Sequence, residues 1–236
     1  MSTVVISCEH ATDRVPAAYA PWFASAAAAL QSHRGVDFGA ALLADELADA
    51  LGVPALHADV TRLLVDTNRS QGERAIFSEW SWPMPEDLRR RALREHWSHH
   101  RDRVTAAVRA VIDGGGSAVH VGVHSFTPEL DGEVREIDVA WLFDPDRPAE
   151  VRFVDAWQRA LAEAAPELRL RRNEPYQGTS DGLTTDLRLQ FDDARYLGIE
   201  LEVNQGLALG DAAAWRRLRR ALVATVPRPS SHRVLT

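Results

Sequence analysis

Ala118-Val119-His120-Val121-Gly122-Val123-His124-Ser125-Phe126-Thr127-Pro128 reads as a β-branched strand that ends on a histidine and breaks at a proline. A strand that stops on His124 presents an imidazole at the carboxyl edge of a sheet. Open α/β folds place ligands and chemistry at that edge. An imidazole there holds a metal or moves a proton. The residues on either side of the strand decide between the two.

Upstream, Pro85 opens a long helix with Glu86 and Asp87 in its first turn, and Asp113-Gly114-Gly115-Gly116 closes it. Val4-Val5-Ile6 predicts a strand that runs into Ser7-Cys8-Glu9-His10. Residues 37–51 carry Leu42, Leu43, Leu47 and Leu51 at helical spacing and stop at Gly52, a fitting C-cap. Residues 53–58 and Leu63-Leu64-Val65 predict two more strands, the second ending on Asp66-Thr67-Asn68-Arg69. Downstream, strands are predicted over 137–143, 168–170 and 197–203, and helices over 149–164 and 211–226. The tail after Pro227 is expected to fray. Strands alternating with helices predict an α/β protein, a three-layer α/β/α arrangement around a mixed, mainly parallel central sheet. No repeat or linker interrupts it, so residues 1–236 are read as one domain.

The 236 residues are 45% hydrophobic and 26% charged, enough for a substantial core in an ordinary soluble composition. A formal charge of −7 without a long basic run argues against a nucleic-acid surface. Arg89-Arg90-Arg91 and the arginines between 216 and 220 read as solvated helix faces. Cys8 is the single cysteine, which excludes an intrachain disulfide and fits a reducing compartment. No segment resembles a signal peptide or is apolar enough to span a bilayer, so the expected location is the cytoplasm, with no membrane partner. The expected state is a monomer or small homo-oligomer.

Functional groups recur at the predicted strand ends: Glu9-His10, Asn68-Arg69, His124 and Glu202, with Asp37 at the start of the first strong helix. Histidines and carboxylates together suit Zn²⁺. A remaining carboxylate can then serve as general base for a water whose pKa the metal lowers to about 7. Arg69 offers a planar fork for a substrate carboxylate, and Asn68 adds amide contacts. Each residue also has a structural reading. His124 could be a hydrogen-bonded core histidine, Glu9 and Asp37 could cap helices, and Arg69 could pair with Asp66 or Glu73 on the surface. Glu202 lies in an apolar strand, where a carboxylate is costly to bury without a partner. His96 and His100 stand at i, i+4 on the long helix. That spacing supports zinc in helical metalloproteases, but Trp97 stands where those carry a glutamate. His100 is therefore read as facing substrate or supporting the site from behind.

In this order the segments resemble the N-formylglutamate amidohydrolase family, itself similar to zinc carboxypeptidases and the aspartoacylase group. The segments are Ser7-Cys8-Glu9-His10-Ala11, Gly35-Val36-Asp37-Phe38-Gly39, Thr61-Arg62-Leu63-Leu64 leading into Asp66-Thr67-Asn68-Arg69, His100, His124-Ser125-Phe126-Thr127-Pro128, Arg135, Asn173-Glu174-Pro175-Tyr176, and Ile199-Glu200-Leu201-Glu202. The resemblance implies a phosphorylase/hydrolase-like fold and one Zn²⁺ per chain held by His10, His124 and Asp37, with Glu9 the alternative to Asp37. It implies Glu202 as general base, Arg69 and Asn68 as the carboxylate clamp, and Arg135 and His100 as further substrate contacts. The implied substrate is a small acidic N-acyl amino acid such as N-formylglutamate. Alternatives are a carboxypeptidase-like peptidase or deacylase, or a metal-binding protein without turnover. The chain departs from the family pattern in two places. It lacks a histidine between Thr184 and Phe191, and it carries Asn204, Gln205 and Gly206 where many members have an arginine and an aspartate.

Overall fold

The computed structural model of the chain describes residues 2–228. It begins with β1 (Ser2–Cys8), a 3-10 turn, α1 (Ala27–Leu30), α2 (Ala40–Leu51) and β2 (Ala55–His57). A second 3-10 turn (Arg74–Ile76) precedes a helical rod made of α3 (Glu86–Ala92), a π-helical stretch (Leu93–Ser98) and α4 (His99–Asp113). Then come β3 (Ser117–Phe126), the short strands β4 (Glu129–Leu130) and β5 (Glu133–Val134), β6 (Val139–Leu142) and α5 (Pro148–Ala164). The last elements are β7 (Leu170–Arg172), α6 (Leu183–Gln190), β8 (Tyr196–Asn204), α7 (Gln205–Leu209) and α8 (Ala212–Thr225). Beyond Arg228 the expected fraying lies outside the described residues.

Six strands form one sheet in the order β2-β1-β3-β8-β6-β7. The first four run parallel, and β6 and β7 run the other way, so the mixed, mainly parallel sheet is as expected. Strand alternation sorts the side chains between its two faces. Val119, Val121 and Val123 of β3 and Ile199, Leu201 and Val203 of β8 pack with Leu43, Leu47, Trp157 and Leu222 of α2, α5 and α8. The opposite face buries Val5, Ala118 and Tyr196 against Val104 and Val108 of α4 and Leu183 and Leu187 of α6. Near the carboxyl ends this second face changes from apolar to polar: His120, His124, Glu200 and Glu202 stand on it by their two-residue spacing. Strand order reverses between β1 and β3, which opens a crevice at the carboxyl ends.

Two expectations change. His124 is not the end of its strand, because β3 continues to Phe126 beside β8, up to Phe126↔Asn204. On its other side the ladder with β1 stops at Ser7↔Gly122, so His124 passes the end of β1 and faces an open edge. Leu63-Leu64-Val65 is not a strand. These residues are buried in a separate cluster with Tyr19, Phe23, Ile76, Phe77 and Met84. The Leu63 carbonyl accepts from the Ser78 and Ser81 hydroxyls at 2.5 and 2.7 Å, in place of a ladder. Burying each side chain contributes roughly 1.5–3 kcal/mol, which holds the segment in place without sheet pairing.

α6 has no counterpart in the periodicity reading. It is held against β8 by fully buried Glu150, which accepts from Arg188 Nε at 3.0 Å and from the Gly198 amide at 2.9 Å.

Candidate metal centre and active site

His10 lies two residues past the end of β1, and its main-chain carbonyl accepts from the Asp37 amide at 3.0 Å, which draws the start of the α2 region over the crevice. Asp37 is not the helix cap. The N-cap of α2 is Gly39, in the left-handed region at φ 84°, where a Cβ would come within 2.7 Å of the Trp215 ring. Glycine at that position lets the chain turn into α2 two residues later and leaves the Asp37 carboxylate for the site.

Asp37 Oδ2 lies 3.3 Å from both His10 Nδ1 and His124 Nδ1, and it accepts from the Ser125 amide at 3.1 Å. His10, Asp37 and His124 offer ligand atoms that all lie within 4.8 Å of one another, and all three are buried. The outer ring nitrogens face acids. His10 Nε2–H donates to Asp66 Oδ1 at 2.8 Å. His124 Nε2 is 3.0 Å from Glu9 Oε2, close enough for ion pairing though off the hydrogen-bond line. A carboxylate behind each imidazole fixes the ring and turns Nδ1 to the front, the arrangement metal-binding histidines use. Two nitrogens and one oxygen fit Zn²⁺ with a coordination position left open.

Glu9 stands behind His124 rather than among the front-facing donors. Burial works to raise its carboxyl, but the hydrogen bond from His100 and the charge of His124 hold it well below the usual carboxylate range. Burial likewise opposes the charge on Asp37, and the His10 charge and the bonds from both histidines hold that carboxyl below its ordinary range. The His124 imidazole is pushed well up against the effect of burial, by Asp37 and Glu9. These groups favour a full positive charge at the point where they meet.

Glu202 pairs in register with His124 on the neighbouring strand and is buried. Its Oε2 has no hydrogen-bond partner among the described residues. Burial is the main cause that pushes the carboxyl up to about 8; the Asp37 and Glu200 charges add to it, and His124 and Arg62 partly offset it. An orphaned buried carboxyl of this kind at a cavity is a candidate proton-transfer group.

A cavity of about 640 Å³ opens in front of these groups, lined by His10, Asp37, His124, Glu202, Asn68 and Arg69 among others. Arg69 Nη1 donates to the Asp181 carbonyl at 2.6 Å, and its nearest carboxylate is Asp181 at 3.9 Å, not Asp66 or Glu73. Asn68 Oδ1 accepts from the Leu183 amide at 2.8 Å, which points its NH2 at Glu200. His100 is placed behind the site: it donates to Glu9 Oε1 across 3.2 Å and does not line the cavity. Arg135 does not line it either. Its guanidinium donates to the Tyr176 hydroxyl at 3.0 Å and stacks 5.1 Å over that ring, and Tyr176 forms part of the wall. Asn173, in the left-handed region at φ 50°, supports Tyr176 by accepting from the Phe143 and Gly178 amides at 2.9 and 3.1 Å. His96 turns to Asp59, 2.9 Å away, so no helical metal pair forms with His100.

Three site residues were not singled out from the sequence. Asp66 was weighed only as a surface partner for Arg69, yet it is buried against His10 and bonded by Arg62 Nη2 at 3.0 Å. Arg62 also reaches Asp37 at 3.6 Å. Glu200 lines the cavity two residues before Glu202, and that same-face spacing was the available signal. If Asp66 orients His10, Asp66→Ala should weaken Zn²⁺ affinity about 10–100-fold in competition with a chromogenic chelator. Unchanged affinity would remove that role.

No curated protein sequence matches the chain. Among solved structures, a gene product of Agrobacterium tumefaciens is 28% identical, with a TM-score of 0.79 over 94% of this chain and 88% of that one. An N-formylglutamate amidohydrolase from Ralstonia eutropha shares the fold with a TM-score of 0.70 at 18% identity, over 94% of this chain and 90% of its own. The N-formylglutamate amidohydrolase family model matches residues 2–209, and the chain therefore belongs to that family.

Proposed function

We propose that the chain is a zinc-dependent amidohydrolase that cleaves the amide of a small N-acyl, most simply N-formyl, amino acid, with N-formylglutamate as the reference compound. One observation carries the reading: three buried ligand atoms converge within 4.8 Å beside the unpartnered carboxyl of Glu202, at one cavity. His10, Asp37 and His124 would hold a Zn²⁺ ion, which would supply a Lewis acid for the amide carbonyl and lower the pKa of water.

The chain's own groups supply the rest. Glu202 accepts the proton of the attacking water at a carboxylate oxygen and passes it to the leaving amine nitrogen. Its raised pKa suits both transfers, because a carboxylate of ordinary acidity is too weak a base at neutral pH. Arg69 binds the substrate carboxylate, and the Asn68 NH2, aimed by Leu183, adds a hydrogen bond. Arg62 shares the load of the buried acids Asp37 and Asp66 and keeps them ionised. Buried, unpaired Cys8 fits a reducing compartment, and the cytoplasm is the proposed location. No helix of the described residues is long and apolar enough to cross a membrane.

Metal analysis joined to hydrolysis assays tests the proposal. Purified protein should contain about one zinc per chain and hydrolyse N-formyl amino acids in preference to N-acetyl or N-succinyl ones. Chelation should abolish turnover, and added Zn²⁺ should restore it. Full activity in metal-free protein would refute the mechanism.

A further inference from the structure

The helical rod behind the site carries a charge that packing alone does not explain. Arg101 shares the buried face of α4 with Val104 and Val108, and its side chain is only 8% exposed. An apolar residue would be cheaper to bury there. The guanidinium reaches three acceptors. Nη1 donates to the Thr67 carbonyl at 2.9 Å and to the Arg69 carbonyl at 3.4 Å, and Nη2 donates to the Asp186 carboxylate. One turn earlier, Trp97 Nε1–H donates to the same Arg69 carbonyl at 2.8 Å, and its ring lies 4.8 Å from the Arg101 guanidinium. The rod leaves α-helical winding over Leu93–Ser98, and π-helical turns of this kind are frequent at functional sites. From the opposite side, the Ser70 hydroxyl donates to Asp181 and, at 3.2 Å, to Asp186, while the Asp181 carbonyl takes Arg69 Nη1. Residues 67–70 are thus clasped between the rod and the segment that leads into α6.

We propose that Arg101 is a positioning residue for the substrate carboxylate: it holds the main chain of Thr67 and Arg69, and through Asp186 it holds Ser70, so that the Arg69 fork stays aimed into the cavity. The inference rests on the amidohydrolase reading and adds a residue to its carboxylate clamp. Its first support is placement. Arg69 lines the cavity and Arg101 does not, so Arg101 acts on substrate through Arg69 alone. Its second support is chemistry. A planar guanidinium serves several acceptors in one fixed geometry, which an ammonium on a flexible stem does not. Asp186 keeps 31% of its side chain exposed and does not need a buried partner for its own sake. The acceptors that do need one are the carbonyls of residues 67 and 69. The preceding residue, His100, supports Glu9 behind the metal ligands, so one turn of α4 braces both halves of the site.

Three compounds supply the test: N-formylglutamate, its α-carboxamide, and N-formylglutamine, which each lack a different carboxylate or none. Zinc-loaded wild type and Arg69→Ala are assayed on all three, and the carboxylate whose preference disappears in Arg69→Ala is the one Arg69 reads. Arg101→Gln should lower kcat/KM for N-formylglutamate about 10–100-fold, the cost of a binding group displaced from afar. It should lower kcat/KM for the analogue lacking that carboxylate less than about threefold, with zinc content unchanged. Arg101→Lys should fall between wild type and Arg101→Gln, and it carries the test if Arg101→Gln does not fold. A merely structural role would lower all three compounds alike. That result overturns the inference, as does a carboxylate preference that Arg101→Gln leaves intact, and either leaves the hydrolase reading standing. The same compounds are titrated calorimetrically into zinc-loaded Glu202→Gln with and without Arg101→Gln, which reads the preference as affinity. The expected order in binding, without turnover by wild type, upholds the inference and overturns the hydrolase reading. Absence of any carboxylate preference that depends on Arg69 overturns the inference as well.

Discussion

Glu202→Gln is expected to lower kcat/KM on the best N-formyl amino acid by about 10²–10⁴-fold, the usual worth of a general acid–base group. Zinc content should stay at the wild-type level, because Glu202 is not among the three converging donors. The melting temperature should not fall. Glutamine has nearly the same shape, and burial already penalises the charged form of Glu202, as its pKa of about 8 records. A structural role for Glu202 would give the opposite pattern, with lost stability and retained activity. Mass-verified Glu202→Gln that keeps its zinc and still turns over at more than about a tenth of the wild-type rate would refute the assignment. Glu200→Gln is the informative contrast. Glu200 lines the same cavity on the same strand face but spends Oε1 on the Thr184 hydroxyl at 3.2 Å, so its loss should disturb binding more than turnover.

Much of this placement follows from period-two alternation, which is legible in the chain. Val119, Val121 and Val123 claim one face for the core, and His124 must then stand on the other. The same count places Glu202 opposite the apolar face of its strand. What stayed hidden depends on contacts between segments far apart in sequence. Asp66 looked like a surface partner for Arg69, because nothing local shows that residue 66 lies 2.8 Å behind residue 10. Asp37 alone read more readily as a helix cap, yet Gly39 holds that position, in a left-handed conformation where a Cβ would meet the Trp215 ring. Leu63-Leu64-Val65 has the composition of a buried strand and is buried. Its hydrogen bonds go to serine side chains that no periodicity reveals. Apolar runs report burial more faithfully than they report pairing.

His124→Ala should remove the zinc. The substitution deletes one of the two nitrogen donors and leaves His10 and Asp37 as the remaining two of the three converging groups. Losing an outer partner of a ligand already costs about 10–100-fold in affinity; losing the ligand itself should cost more than 100-fold and leave the purified variant without stoichiometric metal. Hydrolysis should fall to background with it. The variant also leaves Glu9 buried with His100 as its remaining histidine partner, so some loss of stability is expected on separate grounds. His124→Gln distinguishes the two effects, since a side-chain amide can still meet Glu9 or Asp37 while binding zinc poorly. A folded Gln variant lacking both zinc and activity would assign His124 to the metal. Full zinc occupancy in either folded variant would refute the metal centre as built here, because no other group of His, Cys, Asp and Glu among the described residues converges tightly enough to replace it.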